Sequence, residues 1–210
     1  MSVAESPLAS SHTSLPEISL TPPSDRRAAV DAKQAWVAEL LQSTGCDGLL
    51  ILQPENFSWL SAGAVTRGTV DAEMLPALYF SADSRWLVSA NVDSQRLFDE
   101  ELDDLGFQLK EWPWHLGRNN LLTDLCQGRT VACDRAFGSC KPIDALLQRM
   151  RCTLSDYEIA CYRTLGQTLS HALEATGRTV AAGETEREIA GQIAHRLLHR
   201  GVHPVAIGVT

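Results

Sequence analysis

A continuous apolar run at residues 48–52, Gly-Leu-Leu-Ile-Leu, limits the folds open to this chain more than any other feature. A strand that is apolar at every position is expected to be buried on both faces, because a strand with one face in water alternates apolar and polar residues. Helical patterns lie on either side of the run, at residues 24–45 and at residues 54–63. The run therefore predicts a central strand in a layered α/β domain.

Alternating strand and helix signals continue to about residue 150. Two apolar segments, 77–81 and 86–90, are separated by Ala-Asp-Ser-Arg, a sequence with hairpin turn chemistry, so at least one pair of strands should be antiparallel. Further strands are predicted at 107–112 and 130–133, and further helices at 93–105, 116–128 and after Pro142. This order predicts an amino-terminal α/β domain, residues 24–152, with a mixed sheet covered by helices.

Two capping boxes mark the starts of helices in residues 153–210. Ser155 is followed three residues later by Glu158, and Thr185 is followed three residues later by Glu188. In this motif the hydroxyl oxygen caps a free backbone N–H, and the glutamate reaches back to the N–H of the first residue. Two helices are therefore expected to begin at these positions.

Apolar residues three or four apart extend both helices along one buried face. Gly177 should end the first helix or loosen its final turn, and Gly201 should end the second. Alternating Val205, Ile207 and Val209 then predict the beginning of a strand. A helix pair that leads into a strand is expected to open a second domain that is incomplete at residue 210.

Three segments of this region match a known pattern: Asp156-Tyr157-Glu158-Ile159, residues 183–190 and Arg200-Gly201-Val202. With them, the chain resembles the start of the catalytic domain in the creatinase, prolidase and Xaa-Pro aminopeptidase family, the pita-bread (M24-type) metallopeptidases. The preceding region resembles more loosely the amino-terminal domain of the creatinase and prolidase branches. The resemblance implies such an α/β domain followed, at 153–210, by the first part of an α+β pita-bread domain.

The resemblance also implies an activity. Family enzymes of the Xaa-Pro dipeptidase and aminopeptidase kind hydrolyse peptides with two divalent metal ions, such as manganese, cobalt or zinc. Two aspartates, a histidine and two glutamates hold these ions, and all five are expected beyond residue 210. No catalytic or metal-binding residue is therefore assigned in this chain, and the chain alone is expected to be inactive. Two alternatives stay open: a creatinase-like amidinohydrolase that works without metal, and a non-catalytic binding protein on the same scaffold.

Residues that bind substrate are unknown, but two groups of side chains are candidates for a functional role. The resemblance makes Trp59 or Arg67 a candidate for a wall of the substrate site, since loops of this domain approach a partner's active site in some family members. The alternative for Trp59 is core packing, which is the commoner role of a tryptophan at helical spacing. His195 and His199 would project from one face of a helix, where two imidazoles can share a metal ion. No third ligand is placed beside them by the sequence, so exposed histidines are the simpler interpretation.

The cysteine pattern does not indicate a metal site or a disulfide framework. Cys126, Cys133 and Cys140 are seven residues apart, whereas structural zinc sites bring paired ligands within a few residues of each other. A chain of 210 residues with adequate apolar content does not require disulfides. Free thiols are therefore predicted.

Composition excludes several partners. The net charge of -8 and the lack of a basic stripe argue against nucleic acid and anionic membranes. No apolar run approaches the roughly 20 residues that span a bilayer, and the amino terminus lacks the order of a secretory signal, so a cytoplasmic location is expected. Residues 1–23, rich in Ser, Pro and Thr, predict a disordered tail. The apolar stripes of the two helices in residues 153–210 have only the beginning of a strand to pack on, so self-association as a homodimer is expected, and some family members also dimerise.

Overall fold

The computed structural model describes residues 25–66 and 74–209. The tail predicted for residues 1–23 lies outside these ranges. The chain divides into two compact units. The first unit is Pro22–Tyr162, and the described part of the second unit is residues 163–209. The division falls within a helix that begins at Asp156. The domain boundary that the sequence predicts at residue 152 stays a prediction.

A mixed sheet of six strands forms the centre of the first unit, counted over its described residues. The strands are β1 Gly48–Ile51, β2 Ala77–Phe80, β3 Arg85–Ala90, β4 Gln108–Trp112, β5 Val131–Cys133 and β6 Lys141–Pro142. Their spatial order is β4-β3-β2-β1-β5-β6. The pairs β1–β2 and β2–β3 are antiparallel, and the other three pairs are parallel. The predicted hairpin is therefore confirmed as β2 and β3.

Helices occupy most of the predicted places. They are α1 Arg26–Thr44, α2 Pro54–Leu60, α3 Ser94–Arg96, α4 Asn119–Cys126, α5 Asp144–Arg151, α6 Asp156–Thr179 and α7 Glu186–Leu198. Both predicted capping boxes form: the Glu158 N–H donates to the Ser155 hydroxyl and the Glu188 N–H to the Thr185 hydroxyl, each over 3.3 Å. Over the described residues, no helix has the length and apolarity needed to cross a membrane.

Four local predictions need correction. The helix expected at 93–105 is a single turn, α3, that continues as a π-helical turn at Leu97–Glu101. The helix expected from residue 116 begins only at Asn119, after a 3₁₀ turn at Trp114–Leu116. Gly177 does not end α6, which reaches Thr179. Residues 205–209 form no strand, because no described segment pairs with their backbone, and a strand needs a neighbour to bond its N–H and C=O groups.

The central strand β1 is buried at all four positions, as predicted. Its side chains alternate between two apolar clusters, because successive strand residues point to opposite faces. Leu49 and Ile51 lie in the cluster with residues of α1, α2 and α5. Leu50 lies in the other cluster, with residues of α4. Each such side chain stabilises the fold by about 1.5–3 kcal/mol.

The second unit is described by itself. It contains the rest of α6 and α7, with a small apolar cluster of Ala172, Ile193 and Leu197. Three leucines of α6, spaced at four residues, remain largely exposed: Leu165 at 44%, Leu169 at 42% and Leu173 at 48%. The predicted apolar face of α6 is thus only partly covered within the described residues.

Candidate functional site

The best candidate site in the first unit is built around α2, and a buried carboxylate fixes the start of that helix. Asp134 follows β5 directly and is only 2% exposed. Because β1 and β5 are parallel neighbours, Asp134 lies at the end of the sheet where β1 leads into α2. Its carboxylate accepts hydrogen bonds from the N–H of Leu52 over 2.8 Å, from the N–H of Gln53 over 3.1 Å and from the Asn56 side-chain amide over 2.9 Å.

The protonation of Asp134 reflects two opposing effects. Burial raises the pKa of this carboxyl group, while the hydrogen bonds from Asn56, Leu52 and Gln53 lower it. Burial prevails, so the pKa lies above its ordinary value. The group is a structural anchor for α2, because all three donors belong to the start of that helix or to the two residues before it.

At the far end of α2, Trp59 forms one wall of a cleft. Its ring is half-buried and meets the ring of Trp36 on α1 edge to face, with centroids 5.5 Å apart. The Lys33 ammonium lies 5.2 Å from the centroid of the Trp59 ring and donates a hydrogen bond to the Trp59 carbonyl. Trp59 therefore both packs against the core and borders open space.

An ion pair closes one side of this cleft. Lys33 Nζ lies 2.9 Å from the Glu158 carboxylate, and both side chains are largely buried. Burial raises the pKa of Glu158, but hydrogen bonds from the Ser155 backbone, from Lys33 and from the Ser155 hydroxyl together outweigh it, so the pKa is lowered overall. The start of α6 is thereby joined to α1 within the first unit.

The cleft consists of two adjoining hollows of about 430 and 490 Å³ that share Trp59, Leu154, Tyr157 and Glu158. Burial, and then a hydrogen bond with Cys161, raise the pKa of Tyr157 to about 12, so its hydroxyl stays neutral. Apolar and aromatic walls with a few polar groups are typical of ligand sites. The cleft can bind a small apolar group, and its lysine and carboxylate already pair with each other.

The candidates named from the sequence fall in different places. Trp59 borders the cleft, and its part in a substrate wall stays a prediction. Arg67 lies outside the described residues. His195 and His199 do lie on one face of α7, with stacked rings 6.3 Å apart. Within residues 25–66 and 74–209, no three His, Cys, Asp or Glu side chains are grouped so that they could hold a metal ion. The described residues therefore do not fit a metal pair, and we derive no catalytic step from them.

Sequence reasoning missed two features of this site. One is the Asp134 anchor; an aspartate directly after a short apolar strand was its only signal. The other is the Lys33–Glu158 pair, whose partners are 125 positions apart in the sequence. Nothing in the sequence shows that these two residues meet.

Comparison with solved structures identifies the fold. It is that of the amino-terminal part of prolidases and X-Pro aminopeptidases, which is the fold that the resemblance implies. The prolidase of Pyrococcus horikoshii matches with TM-score 0.59 and 15% identity, over 80% of this chain and 49% of that chain. The X-Pro aminopeptidase of Thermotoga maritima matches with TM-score 0.62 and 19% identity, over the same shares. The chain thus spans about half the length of these proteins.

A third structure is described with its metal content. The X-prolyl aminopeptidase of Caenorhabditis elegans, a cytosolic enzyme with a di-nuclear active site, matches with TM-score 0.51 and 15% identity. The match covers 81% of this chain and 31% of that chain. No family model matches the sequence, and no curated protein matches it. At these identities the comparisons establish the fold.

Proposed function

We propose that this chain is the amino-terminal portion of an Xaa-Pro dipeptidase- or aminopeptidase-like two-metal hydrolase of the creatinase and prolidase family. The observation behind the proposal is the likeness of about 80% of its backbone to the amino-terminal half of enzymes named for Xaa-Pro peptides. The segments at residues 156–159 and 183–190, which resemble the start of the family's catalytic domain, support it.

In this proposal the described part of the chain has a structural and positioning role. The resemblance to the family puts the ligands of the two divalent ions, manganese, cobalt or zinc, beyond residue 210. When bound, such ions activate a water molecule and stabilise negative charge on the scissile carbonyl. The first unit would contribute the Trp59 cleft as a wall against which an apolar part of the peptide packs.

We further propose that the protein works in the cytoplasm as a homodimer. The exposed leucines of α6, Leu165, Leu169 and Leu173, would support self-association where the rest of the catalytic domain does not cover them, since an exposed apolar patch marks a contact site. The C. elegans structure is described as that of a cytosolic enzyme. Nucleic acid and membranes are not proposed as partners, because the net charge is -8 and there is no basic stripe.

A second candidate is a non-catalytic binding protein on the same scaffold. It is favoured by the form of the cleft, where the lysine and the carboxylate neutralise each other and aromatic rings provide the walls. A creatinase-like, metal-independent hydrolase is the third. Fold alone does not separate the three, because one scaffold can serve different functions.

The coding sequence that follows Thr210 in the gene tests the proposal. We expect two aspartates, one histidine and two glutamates, in that order along a continuous pita-bread domain. A pita-bread domain without these ligands would favour the binding protein or the creatinase-like enzyme. A gene without such a domain would contradict the peptidase.

A further inference from the structure

Two cysteine thiols of the first unit lie within reach of each other. The Sγ atoms of Cys126 and Cys140 are 3.8 Å apart, and both residues are free thiols with partly exposed side chains. A disulfide requires about 2.05 Å between the sulfurs, so the pair is close to bonding distance without being bonded. No local sequence pattern predicts this pair, because the two residues are 14 positions apart and belong to different segments of the fold.

The backbone around both residues can accommodate the remaining approach. Cys126 is the last residue of α4, and the chain leaves the helix at Gln127 and turns at Gly128, whose φ is +70°. Cys140 ends the irregular segment between β5 and β6 and is held by a backbone hydrogen bond to Phe137 over 3.0 Å. Cys126 lies at the very end of its helix and Cys140 lies outside the helices and strands, so neither thiol is in the middle of a regular element.

A third thiol nearby makes the assignment specific. Cys133 on β5 is only 1% exposed, and its Sγ lies 3.9 Å from the Asp134 carboxylate. Burial first, and then nearby groups such as Asp134, raise the pKa of Cys133 to about 12. A thiol that is only 1% exposed is shielded from an oxidant in solution, whereas Cys126 and Cys140 are partly exposed. Oxidation is therefore expected at the partly exposed pair.

We propose that Cys126 and Cys140 form an oxidation site, in which hydrogen peroxide converts the two thiols into an intramolecular disulfide. The Cys140 sulfur attacks one oxygen of the peroxide, the O–O bond breaks, and the hydroxide that leaves takes up the Cys140 thiol proton, which gives a sulfenic acid and the first water. The Cys126 sulfur then attacks the sulfenic sulfur, and the S–O bond breaks. The hydroxide that leaves takes up the Cys126 proton as a second water. Two thiols are oxidised, and one peroxide is reduced to two waters.

Cys140 is assigned the first step because it lies in the irregular segment between β5 and β6, whereas Cys126 belongs to α4. The surroundings of Cys126 support this order. Burial first, and then the neighbouring Cys140, raise the pKa of Cys126 to about 12. Cys126 is therefore protonated near neutral pH and is suited to the second step. The product would join the end of α4 to the segment that leads into β6, an edge strand of the sheet.

Peptide mapping of the purified chain tests the proposal. The chain is treated with hydrogen peroxide at pH 8, free thiols are alkylated under denaturing conditions, and the unreduced digest is analysed by mass spectrometry. We expect a peptide pair linked through Cys126 and Cys140, with a mass 2 Da below the sum of the two thiol peptides. A digest in which both cysteines are alkylated, or in which Cys140 is linked to Cys133, would overturn the proposal.

Two variants test the mechanism, with one matched control. In Cys126→Ser, the sulfenic acid should persist on Cys140 and be trapped by dimedone; in Cys140→Ser, dimedone labelling of Cys126 should be at least tenfold lower. The control Cys152→Ser removes an exposed thiol elsewhere and should leave the linked peptide unchanged. Equal labelling in the first two variants would contradict the assigned order. Loss of the linked peptide in the control would show that the bond forms by exchange through Cys152.

Discussion

Replacing Asp134 with asparagine tests whether this carboxylate fixes α2. One carboxylate oxygen accepts from the Leu52 N–H, and the other accepts from both the Gln53 N–H and the Asn56 amide. In Asp134→Asn one of these oxygens becomes an NH₂ group, which cannot accept. If the remaining oxygen stays with Leu52, then the Gln53 N–H loses its partner.

The size of the effect follows from counting these bonds. The Asn56 Oδ1 atom is buried and has no partner within the described residues, so the Asn56 amide can turn and accept from the new NH₂ group. One backbone donor is then unsatisfied, at a cost of about 1–3 kcal/mol. Removing a charge that burial disfavours offsets part of this loss. We expect Asp134→Asn to lower the free energy of unfolding by about 2 kcal/mol, and Asp134→Ala, which leaves all three donors unpaired, by about 4 kcal/mol.

Urea unfolding at pH 7, followed by circular dichroism, measures both changes. Asp144→Asn is the matched control: Asp144 also accepts a hydrogen bond from Gln53, over 3.0 Å, but it is exposed. The control should stay within about 0.5 kcal/mol of the original chain. If Asp134→Asn behaves like the control, the carboxylate does not anchor α2 and the reasoning is refuted.

Three further substitutions have effects that the structure predicts. In Gly48→Ala the new Cβ would overlap the Tyr79 hydroxyl oxygen and lie 2.6 Å from the ring carbon that bears it, so thermal unfolding should show a loss of about 2–3 kcal/mol; an unchanged midpoint would be inconsistent with this packing. Thr185→Ala removes the cap of α7 and should cost about 1 kcal/mol in urea unfolding, whereas Thr185→Ser should cost little. Glu158→Gln leaves Lys33 without its charged partner and should cost about 2 kcal/mol at pH 7. Because the folded-state pKa of Glu158 is lowered, its carboxylate stabilises the fold above the unfolded pKa of about 4.5. The difference in unfolding free energy between the original chain and Glu158→Gln should therefore shrink as the pH falls through the folded pKa. A difference that does not depend on pH would argue against the ion pair.

Much of the fold could be predicted because its signals are local. The apolar run of β1 identifies a doubly buried strand from its own residues, and each capping box lies within four residues of sequence. The π-helical turn at Leu97–Glu101 was missed, since the apolar spacing there does not distinguish an α-helix from a wider turn. The strand predicted at 205–209 was wrong, because alternating apolar residues indicate only which face of a strand is buried. They do not show whether a neighbouring strand is present to pair with its backbone.

The candidate site was less predictable because its contacts join distant parts of the sequence. Trp59 could be named from the sequence, yet its surroundings depend on Trp36 of α1 and on the start of α6. Asp134 and Leu52 are 82 positions apart in the sequence, and the Asp134 carboxylate meets the Leu52 N–H only because β1 and β5 pair in parallel. Strand order is a tertiary property that a pattern in one segment does not contain.

Hydrolysis of an Xaa-Pro dipeptide tests the proposed function most directly. The complete product of the gene and the chain of residues 1–210 are purified separately, supplied with manganese and assayed for released proline. We predict metal-dependent hydrolysis by the complete product, abolished by a chelator and restored by manganese, and none by residues 1–210. A complete product that folds, binds no metal and releases no proline would contradict the assignment to a two-metal Xaa-Pro hydrolase. Hydrolysis that follows residues 1–210 through purification would contradict the positioning role of this part of the chain.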